Sequence, residues 1–137
     1  PVEGLNDGYM VAQYAAAALV SENKILAHPA CVDSIPTCAN QEDHVSFGTI
    51  AARNAAQIID HVQHVLAIEL LCGAQAADFK NPDKLAPGTR AAYSLLRSEV
   101  PFMDSDRAIY LDTNKVAAQI RDGKYVTAVE AAVGTLK

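Results

Sequence analysis

The sequence is poor in cysteine, and no two of its cysteines are spaced as in a C-x-x-C pair. The three that it has are Cys31, Cys38 and Cys72. Because their number is odd, a closed framework of disulfides is excluded, and the missing C-x-x-C pair argues against a cysteine zinc site. We therefore expect reduced thiols and a cytoplasmic protein.

Positive charge and long apolar runs are scarce as well. The chain has 11 Lys and Arg against 16 Asp and Glu, which gives a net charge of -5. Nucleic-acid binding depends mainly on Lys and Arg that neutralise phosphates, so we expect no nucleic-acid partner. The most apolar stretch, residues 10–20, is interrupted by Gln13 and is shorter than the roughly 18 residues of a membrane-spanning helix, so we expect no membrane contact.

What remains is the composition of one globular domain. Of the 137 residues, 50% are hydrophobic and 20% are charged, a balance that excludes disorder and repetitive fibrous folds. A chain of this length buries roughly two-thirds of its unfolded surface, which is enough for a single core. The first residue is Pro1 and not Met, so we expect a processed chain or a piece of a longer protein.

The segment 4–27 is predicted to be a turn followed by a helix over residues 9–27. No Gly or Pro interrupts this helix, and alanines fill positions 15–18. Only Glu22 and Lys24 are charged, so the helix has almost no polar face. We therefore expect it to be buried on most sides.

Residues 28–44 are predicted to form an ordered loop. Pro29 and Pro36 disfavour helix at the residues before them, and small polar side chains fill much of the rest. Loops of this length inside a compact domain are uncommon, and those that occur are usually functional.

A long helix is predicted over residues 45–79. No Gly or Pro lies between Gly48 and Gly73, and apolar residues recur at helical spacing. Residues 66–72 are apolar nearly all round apart from Glu69, which predicts enclosure by other helices. The uninterrupted stretch alone is roughly 36 Å long, whereas a globule of this size has a radius of gyration of about 14 Å. We therefore expect other polypeptide to cover it, either in an oligomer or in the parent of a fragment.

Shorter helices are predicted over residues 87–137, which makes the class all-α, a bundle of long helices. One spans about residues 89–99 and is ended by Pro101, and a later one is closed by Gly123. Three side chains are suited to capping the N-terminus of a turn or helix in this region: Asp104, Asp112 and Thr113. Residues 104–107 are otherwise expected to be a solvated cap with an ion pair that adds little stability.

Acid and base side chains crowd into residues 40–44, Asn-Gln-Glu-Asp-His, just before the long helix. A carboxylate there is stabilised by the helix N-terminus, whereas one enclosed by apolar helices has a raised pKa and serves as a general base. In the alternative interpretation Asp43 caps the helix, and Ser46 or His44 completes the hydrogen bonds. Both interpretations stay open, since capping by Asp43 leaves Glu42 available for catalysis.

Other catalytic patterns are weak or missing. His61 and His64 share a helix face beside Asp60, but the spacing is not H-E-x-x-H and no third ligand follows in the sequence. We therefore predict solvated or hydrogen-bonded histidines and no metal. The sequence also contains no Gly-rich phosphate loop and no G-x-S-x-G elbow.

The loop and its flanks resemble a known family. The matching segments are Gly4-Leu5-Asn6, residues 17–24 (AALVSENK), 27–30 (AHPA), 32–37 (VDSIPT) and 40–46 (NQEDHVS). As a set they are similar to the C-terminal part of the histidine-specific branch of the aromatic amino acid ammonia-lyase family. The resemblance is dense from Gly4 to about Arg53 and looser through the rest of the chain.

This resemblance implies a fold and a reaction. The family fold is a homotetramer of long helices, and the reaction is the non-oxidative elimination of ammonia from L-histidine, which gives trans-urocanate. The electrophile is a methylidene-imidazolone (MIO) group formed from an Ala-Ser-Gly tripeptide, which this sequence lacks. The family's catalytic tyrosines and carboxylate-binding arginine have no matching motif here either. The resemblance thus implies a C-terminal segment of a carbon–nitrogen lyase that is inactive alone. Its expected partners are L-histidine, the remainder of the lyase and its other subunits.

One site residue of the family carries over, the glutamate of Asn-Gln-Glu-Asp-His, which is Glu42. The resemblance implies that Glu42 is catalytic, binds the substrate imidazole and assists proton transfer. The phenylalanine and tyrosine lyases typically have an amide at this place, and only an acceptor such as a carboxylate matches the imidazole N–H. Gln41 is a weaker candidate for lining the same pocket. Phe47, Cys31 and Cys38 stand where Met, Ser and Ser are commoner, which leaves the substrate prediction intact.

Two alternatives stay open. A related lyase or aminomutase acting on tyrosine or phenylalanine is distinguished by whether the pocket at Glu42 rejects those amino acids. A non-catalytic helical oligomerisation module fits the missing Ala-Ser-Gly. The complete Asn-Gln-Glu-Asp-His loop argues against such a module, because a structural protein has no need of a buried glutamate and its desolvation cost.

Overall fold

The chain folds into helices joined by one long loop and several short connections. The computed structural model describes residues 4–136, and within that range it contains five α-helices and no strand. The helices are α1 (Met10–Leu26), α2 (Gly48–Asp78), α3 (Pro87–Glu99), α4 (Ile109–Arg121) and α5 (Lys124–Val133), with a 3-10 turn at Pro82–Lys84. The predicted all-α class is confirmed. No helix of the described range is long and apolar enough to cross a membrane.

The helix boundaries differ from the sequence predictions mainly at N-termini. α2 begins at Gly48 and not at residue 45, and α3 begins at Pro87, ahead of the predicted residue 89. Proline suits the first turn of a helix because the backbone N–H that it lacks has no partner there. α3 ends at Glu99, before Pro101, and Gly123 follows α4 with a left-handed φ of 70°, as the sequence predicts.

α2 is the central helix, and α1 and α4 pack along it. α1 runs antiparallel to α2, because its last residues meet the beginning of α2. The amide of Asn54 donates to the Leu26 carbonyl at 3.3 Å, and His61 Nδ1 donates to the Asn23 side-chain oxygen at 2.8 Å. α3 packs mainly against α5 and contacts the second half of α2, where Leu96 joins the core and Tyr125 of α5 packs against it.

The hydrophobic core is confined to the second half of α2 and what packs on it. Leu71, Val100 and Val116 are fully buried, and Leu96 is 1% exposed. Burying a side chain of this size contributes about 1.5–3 kcal/mol relative to exposing it. The first buried residue of α2 is Ala67, roughly 28 Å along the helix axis from Gly48, so the beginning of α2 lies far from the core.

A polar network fixes the segment between α3 and α4. Gln75 donates to the Met103 carbonyl at 2.7 Å and accepts from the Met103 N–H at 3.1 Å. Arg97 forms an ion pair with Asp78 at 2.6 Å, and the hydroxyl of Tyr93 donates to the other oxygen of that carboxylate. Because both charges are largely buried, their pairing is what makes the burial tolerable.

α1 is far more exposed in this chain than its composition predicts. Ala12 is its one buried residue, so the prediction of burial on most sides is wrong for the chain by itself. The same holds in part for residues 66–72, where Leu66 is 41% exposed and Glu69 is also exposed. The physical reason is that this chain provides partners for only one face of α1 and α2. The exposed large apolar side chains of α1 are Met10, Val11, Tyr14, Val20 and Ile25.

The predicted caps of α4 are also wrong. α4 begins at Ile109, so Asp112 lies inside its first turn, where it accepts a hydrogen bond from Arg107 Nε at 2.8 Å. The hydroxyl of Thr113 donates back to the Ile109 carbonyl at 3.1 Å instead of capping. Asp104 lies exposed at a bend and accepts from Ser105.

Candidate functional site

The loop that joins α1 to α2 is closed at a neck formed by Ser34 and Val45. The hydroxyl of Ser34 accepts from the Val45 N–H at 2.7 Å and donates to the Val45 carbonyl at 3.3 Å. One side chain therefore satisfies both backbone groups of the opposite residue. This contact separates the outer part of the loop, residues 35–44, from the two helices.

Beyond the neck the chain turns back on itself as a small hairpin. The Thr37 N–H donates to the Glu42 carbonyl at 2.9 Å, and the Glu42 N–H donates to the Thr37 carbonyl at 3.3 Å. Three consecutive residues in the turn have left-handed backbone, with φ of 52° at Cys38, 53° at Ala39 and 68° at Asn40. Of these three residue types, only Asn adopts the left-handed region with ease, so the backbone at the other two is strained. Strained backbone of this kind clusters at functional sites.

Glu42 lies exposed at the base of this hairpin. Its Oε2 accepts a hydrogen bond of 2.7 Å from the hydroxyl of Thr37. A carboxylate has acceptor capacity on both oxygens, so Oε1 stays available for a further donor. In this chain apolar helices do not enclose Glu42, contrary to the interpretation of a buried general base.

The residues beside Glu42 are exposed too, and none of them caps α2. Gln41 shares the hairpin turn, and its N–H donates to the Cys38 carbonyl at 3.0 Å. The N-cap of α2 is Phe47, which has left-handed backbone and makes no side-chain capping bond. The predicted capping role of Asp43 is therefore wrong. The reason is the Ser34–Val45 neck, which keeps the chain non-helical after Asp43 and places α2 beyond its reach.

The two histidines of α2 each contact a different partner. His61 reaches Asn23 of α1, as described above, while His64 Nδ1 donates to the Asp60 carbonyl of its own helix at 2.8 Å. Both acceptors are carbonyl oxygens, so both rings carry the proton on Nδ1. Between residues 4 and 136, no group of three or more His, Cys, Asp or Glu side chains is arranged to hold a metal ion.

The three cysteines are free thiols with different environments. Cys31 and Cys38 are exposed in the loop, whereas Cys72 is half-buried in α2. Burial raises the pKa of the Cys72 thiol above its usual value, which keeps it protonated and unreactive.

A cleft lies away from the loop, between α1 and the start of α4. It has a volume of about 450 Å³ and a mostly apolar lining. Two of its charged side chains are already engaged. Asp106 accepts from the N–H groups of Asp7 and Gly8 at 2.8 and 2.9 Å, which lowers the pKa of its carboxyl, and Arg107 pairs with Asp112. Asp106 and Arg107 therefore serve to join segments of the chain at this cleft.

The hairpin is thus the place where strained backbone, an accessible carboxylate and a positioned hydroxyl meet. Sequence reasoning finds Glu42 and Gln41 as site residues, whereas Thr37 lies in the matching segment 32–37 without a role of its own. Only the pairing of Thr37 with Glu42 across the turn reveals it.

Comparisons with known proteins give one consistent relationship. The sequence model of the family described as aromatic amino acid lyase matches residues 1–98. Histidine ammonia-lyase 2 of Fusobacterium nucleatum is 58% identical over 134 residues, which cover 98% of this chain and 26% of that protein. The chain therefore spans about a quarter of the length of this curated relative.

Solved structures agree with the sequence relationship. Histidine ammonia-lyase from Trypanosoma cruzi is 42% identical with a TM-score of 0.91, over 97% of this chain and 26% of that one. Tyrosine aminomutase from Streptomyces globisporus is 35% identical with a TM-score of 0.94, over 99% of this chain and 26% of that one.

Proposed function

Because the chain belongs to the aromatic amino acid lyase family, we propose that it is one part of a histidine ammonia-lyase, a carbon–nitrogen lyase. The proposed reaction breaks the bond between Cα and the amino nitrogen of L-histidine and removes a proton from the adjacent carbon. The products are trans-urocanate and ammonia. The cytoplasmic location expected from the sequence belongs to the same proposal.

The accessible Glu42 carboxylate carries this proposal. Thr37 occupies Oε2, and Oε1 is free to accept a hydrogen bond from the imidazole N–H of the substrate. A phenyl ring has no such donor, so an unpaired carboxylate facing it is disfavoured. We infer that Glu42 binds and orients the imidazole and assists proton transfer at a ring nitrogen. Gln41, its exposed neighbour in the turn, would line the same pocket.

Other segments of the parent enzyme would complete the site. This chain contains no Ala-Ser-Gly, from which the methylidene-imidazolone (MIO) group of the family forms. That group supplies the electrophile for ammonia loss when it is present. The residues of this chain fit a role beside it, since Glu42 is an acceptor and base on an exposed hairpin. We therefore expect the isolated chain to form no urocanate.

The exposed apolar surface supports a larger assembly. Five large apolar side chains of α1 lie open, and on α2 Ile59, Val62 and Leu66 are between 41% and 59% exposed. Large exposed apolar surfaces are typical of regions that other polypeptide covers. We propose that the remainder of the lyase and its other subunits cover these helices in a homotetramer.

The test of Glu42 is its replacement by glutamine in the full-length lyase that carries this chain. We expect Glu42→Gln to lower kcat/KM for L-histidine by about 10- to 100-fold, since a hydrogen bond to a charged group contributes roughly 1.5–3 kcal/mol. Urocanate formation is followed by ultraviolet absorbance. Asp43→Asn, which removes the neighbouring exposed carboxylate, is the matched control and should leave the rate unchanged. Equal rates for Glu42→Gln and the parent would contradict the proposed role.

The likeness to a tyrosine aminomutase makes a related enzyme the second candidate. The same assays with L-tyrosine and L-phenylalanine separate the two, because a histidine lyase should turn over L-histidine far faster than either. A full-length protein that is active on none of the three would instead favour a non-catalytic oligomerisation module.

A further inference from the structure

The hydroxyl of Thr37 donates to the carboxylate of Glu42 across the hairpin at 2.7 Å. We propose that Thr37 is a positioning residue, which fixes the Glu42 carboxylate so that Oε1 faces the substrate ring. This inference rests on the proposed function, because it assigns Thr37 a role through Glu42.

The backbone brings the two side chains into register. Thr37 and Glu42 exchange both of their N–H to carbonyl bonds, so they form a directly opposed antiparallel pair. Side chains of such a pair lie on the same face with Cβ atoms about 5 Å apart. The short threonine side chain therefore reaches the end of the longer glutamate, and the carboxylate folds back over the hairpin.

The left-handed turn and the neck hold this pair in place. Residues 38–40 all have positive φ, so the turn has a fixed shape, and the two bonds between Ser34 and Val45 close the strands behind it. The Thr37 hydroxyl is thus delivered to Glu42 by backbone geometry and not by packing, since both residues are exposed.

The chemistry gives Thr37 one task at the site. An exposed glutamate has three rotatable bonds, and without a partner its carboxylate samples many orientations. A hydroxyl has a single proton to donate, and donating it to Oε2 orients the carboxylate while Oε1 keeps its acceptor sites. The Glu42 side chain then gives up less conformational freedom when the substrate binds, and this smaller entropic cost raises the reaction rate.

The experiment is a double-mutant cycle in the assembled full-length lyase. Thr37→Val keeps the shape of the side chain and removes the donor, and Thr37→Ser restores the donor. We expect Thr37→Val to lower kcat/KM for L-histidine about tenfold and Thr37→Ser to stay within about twofold of the parent. The double variant with Glu42→Gln should be no slower than Glu42→Gln alone, because Thr37 acts through Glu42.

A second measurement separates positioning from a general structural role. Inhibition by urocanate, which carries a ring N–H, should weaken with Thr37→Val, whereas inhibition by trans-cinnamate, which has none, should not change. Equal weakening of both inhibitors, or a double variant about tenfold slower than Glu42→Gln, would assign Thr37 a structural role and overturn the inference. So would a Thr37→Val protein that fails to assemble.

The cycle also distinguishes this inference from the proposed function. If Glu42→Gln keeps the rate of the parent, the proposed role of Glu42 fails, and the inference fails with it. If Glu42→Gln is slow while Thr37→Val matches the parent, only the inference is overturned.

Discussion

At the residue scale, Ala39 shows most clearly where backbone strain is stored. It has a φ of 53° at the tip of the hairpin, between two further left-handed residues. An L-residue with a Cβ pays about 1–2 kcal/mol for this conformation, and glycine does not. The strain persists because the Thr37–Glu42 pair and the Ser34–Val45 neck hold the ends of the turn together and so restrict its backbone to this conformation.

Ala39→Gly should therefore stabilise the closed hairpin. The relief of strain is partly offset by the greater freedom of glycine in the open state, which leaves a net gain of about 0.5–1 kcal/mol. We expect amide hydrogen exchange at Thr37 and Glu42, both of whose N–H groups bond across the hairpin, to slow by about 2- to 5-fold.

The matched control is Ala118→Gly in α4, where the alanine is exposed and helical. It should lower the free energy of global unfolding by about 1 kcal/mol and leave exchange in the hairpin unchanged. Faster exchange at Thr37 in Ala39→Gly would mean that the turn stores no strain.

At the element scale, the junction of α4 and α5 depends on the half-buried phenol of Tyr125. Tyr125, at the start of α5, donates to the side-chain oxygen of the buried Gln119 at 2.8 Å. Burial, with a contribution from the negative charge of Glu99, raises the pKa of Tyr125 to about 12. The neutral phenol is therefore favoured in the folded state over the unfolded one.

This raised pKa predicts a loss of stability in alkali. The contribution of Tyr125 is fully present below its unfolded pKa of about 10 and is lost as the pH rises toward the folded value. Tyr125→Phe should lower the free energy of unfolding at pH 7 by about 1 kcal/mol, since Gln119 loses its partner. The same substitution should also make the free energy of unfolding fall less steeply between pH 10 and 12.

Urea unfolding of the unaltered chain and of Tyr125→Phe at several pH values checks the predicted loss of stability in alkali. Some slope should remain in Tyr125→Phe, because burial also raises the pKa of Tyr9, and the hydrogen bond to Asp78 raises that of Tyr93. Parallel stability curves for the two proteins from pH 8 to 12 would contradict the assignment to Tyr125.

The helices were predictable from the sequence because their interiors are uniform. The alanine-rich α1 (Met10–Leu26) and the stretch of α2 free of Gly and Pro up to Gly73 need only local propensity and periodicity. Their N-termini were not predictable from capping side chains. α2 begins after Phe47 and α4 after Ala108, and neither of these residues makes a side-chain capping bond that the sequence could have indicated.

The candidate site was predictable in part. Glu42 and Gln41 are identified through the Asn-Gln-Glu-Asp-His motif, and their assignment to the substrate site stays a prediction. The Thr37 contact depends on a hairpin register set by three left-handed residues, and propensity disfavours that conformation for Cys38 and Ala39. Exposure was mispredicted for α1, since composition indicates that a helix will be covered but not by which polypeptide.

At the scale of the whole molecule, the isolated chain is expected to self-associate. Within residues 4–136, large apolar side chains on α1 and α2 remain substantially exposed. We expect oligomers by light scattering, or binding of a dye that reports apolar surface, at concentrations where a covered domain is monomeric.

Substitutions on this surface provide the control. Tyr14→Asp and Ile25→Asp, at side chains 69% and 75% exposed, should reduce association without loss of helical circular dichroism. A monomer of the unaltered chain that binds no dye would contradict both the expectation and the proposed assembly.

The separation between the core and the hairpin along α2 has a consequence for how the proposed activity would respond to dilution. On α2 the core begins at Ala67, whereas the hairpin and the start of α2 contain no buried residue. In the proposed assembly, folding of one subunit would complete this core and leave the site to be completed by its neighbours. Under mass action, simple dilution would then abolish turnover while every subunit stays folded.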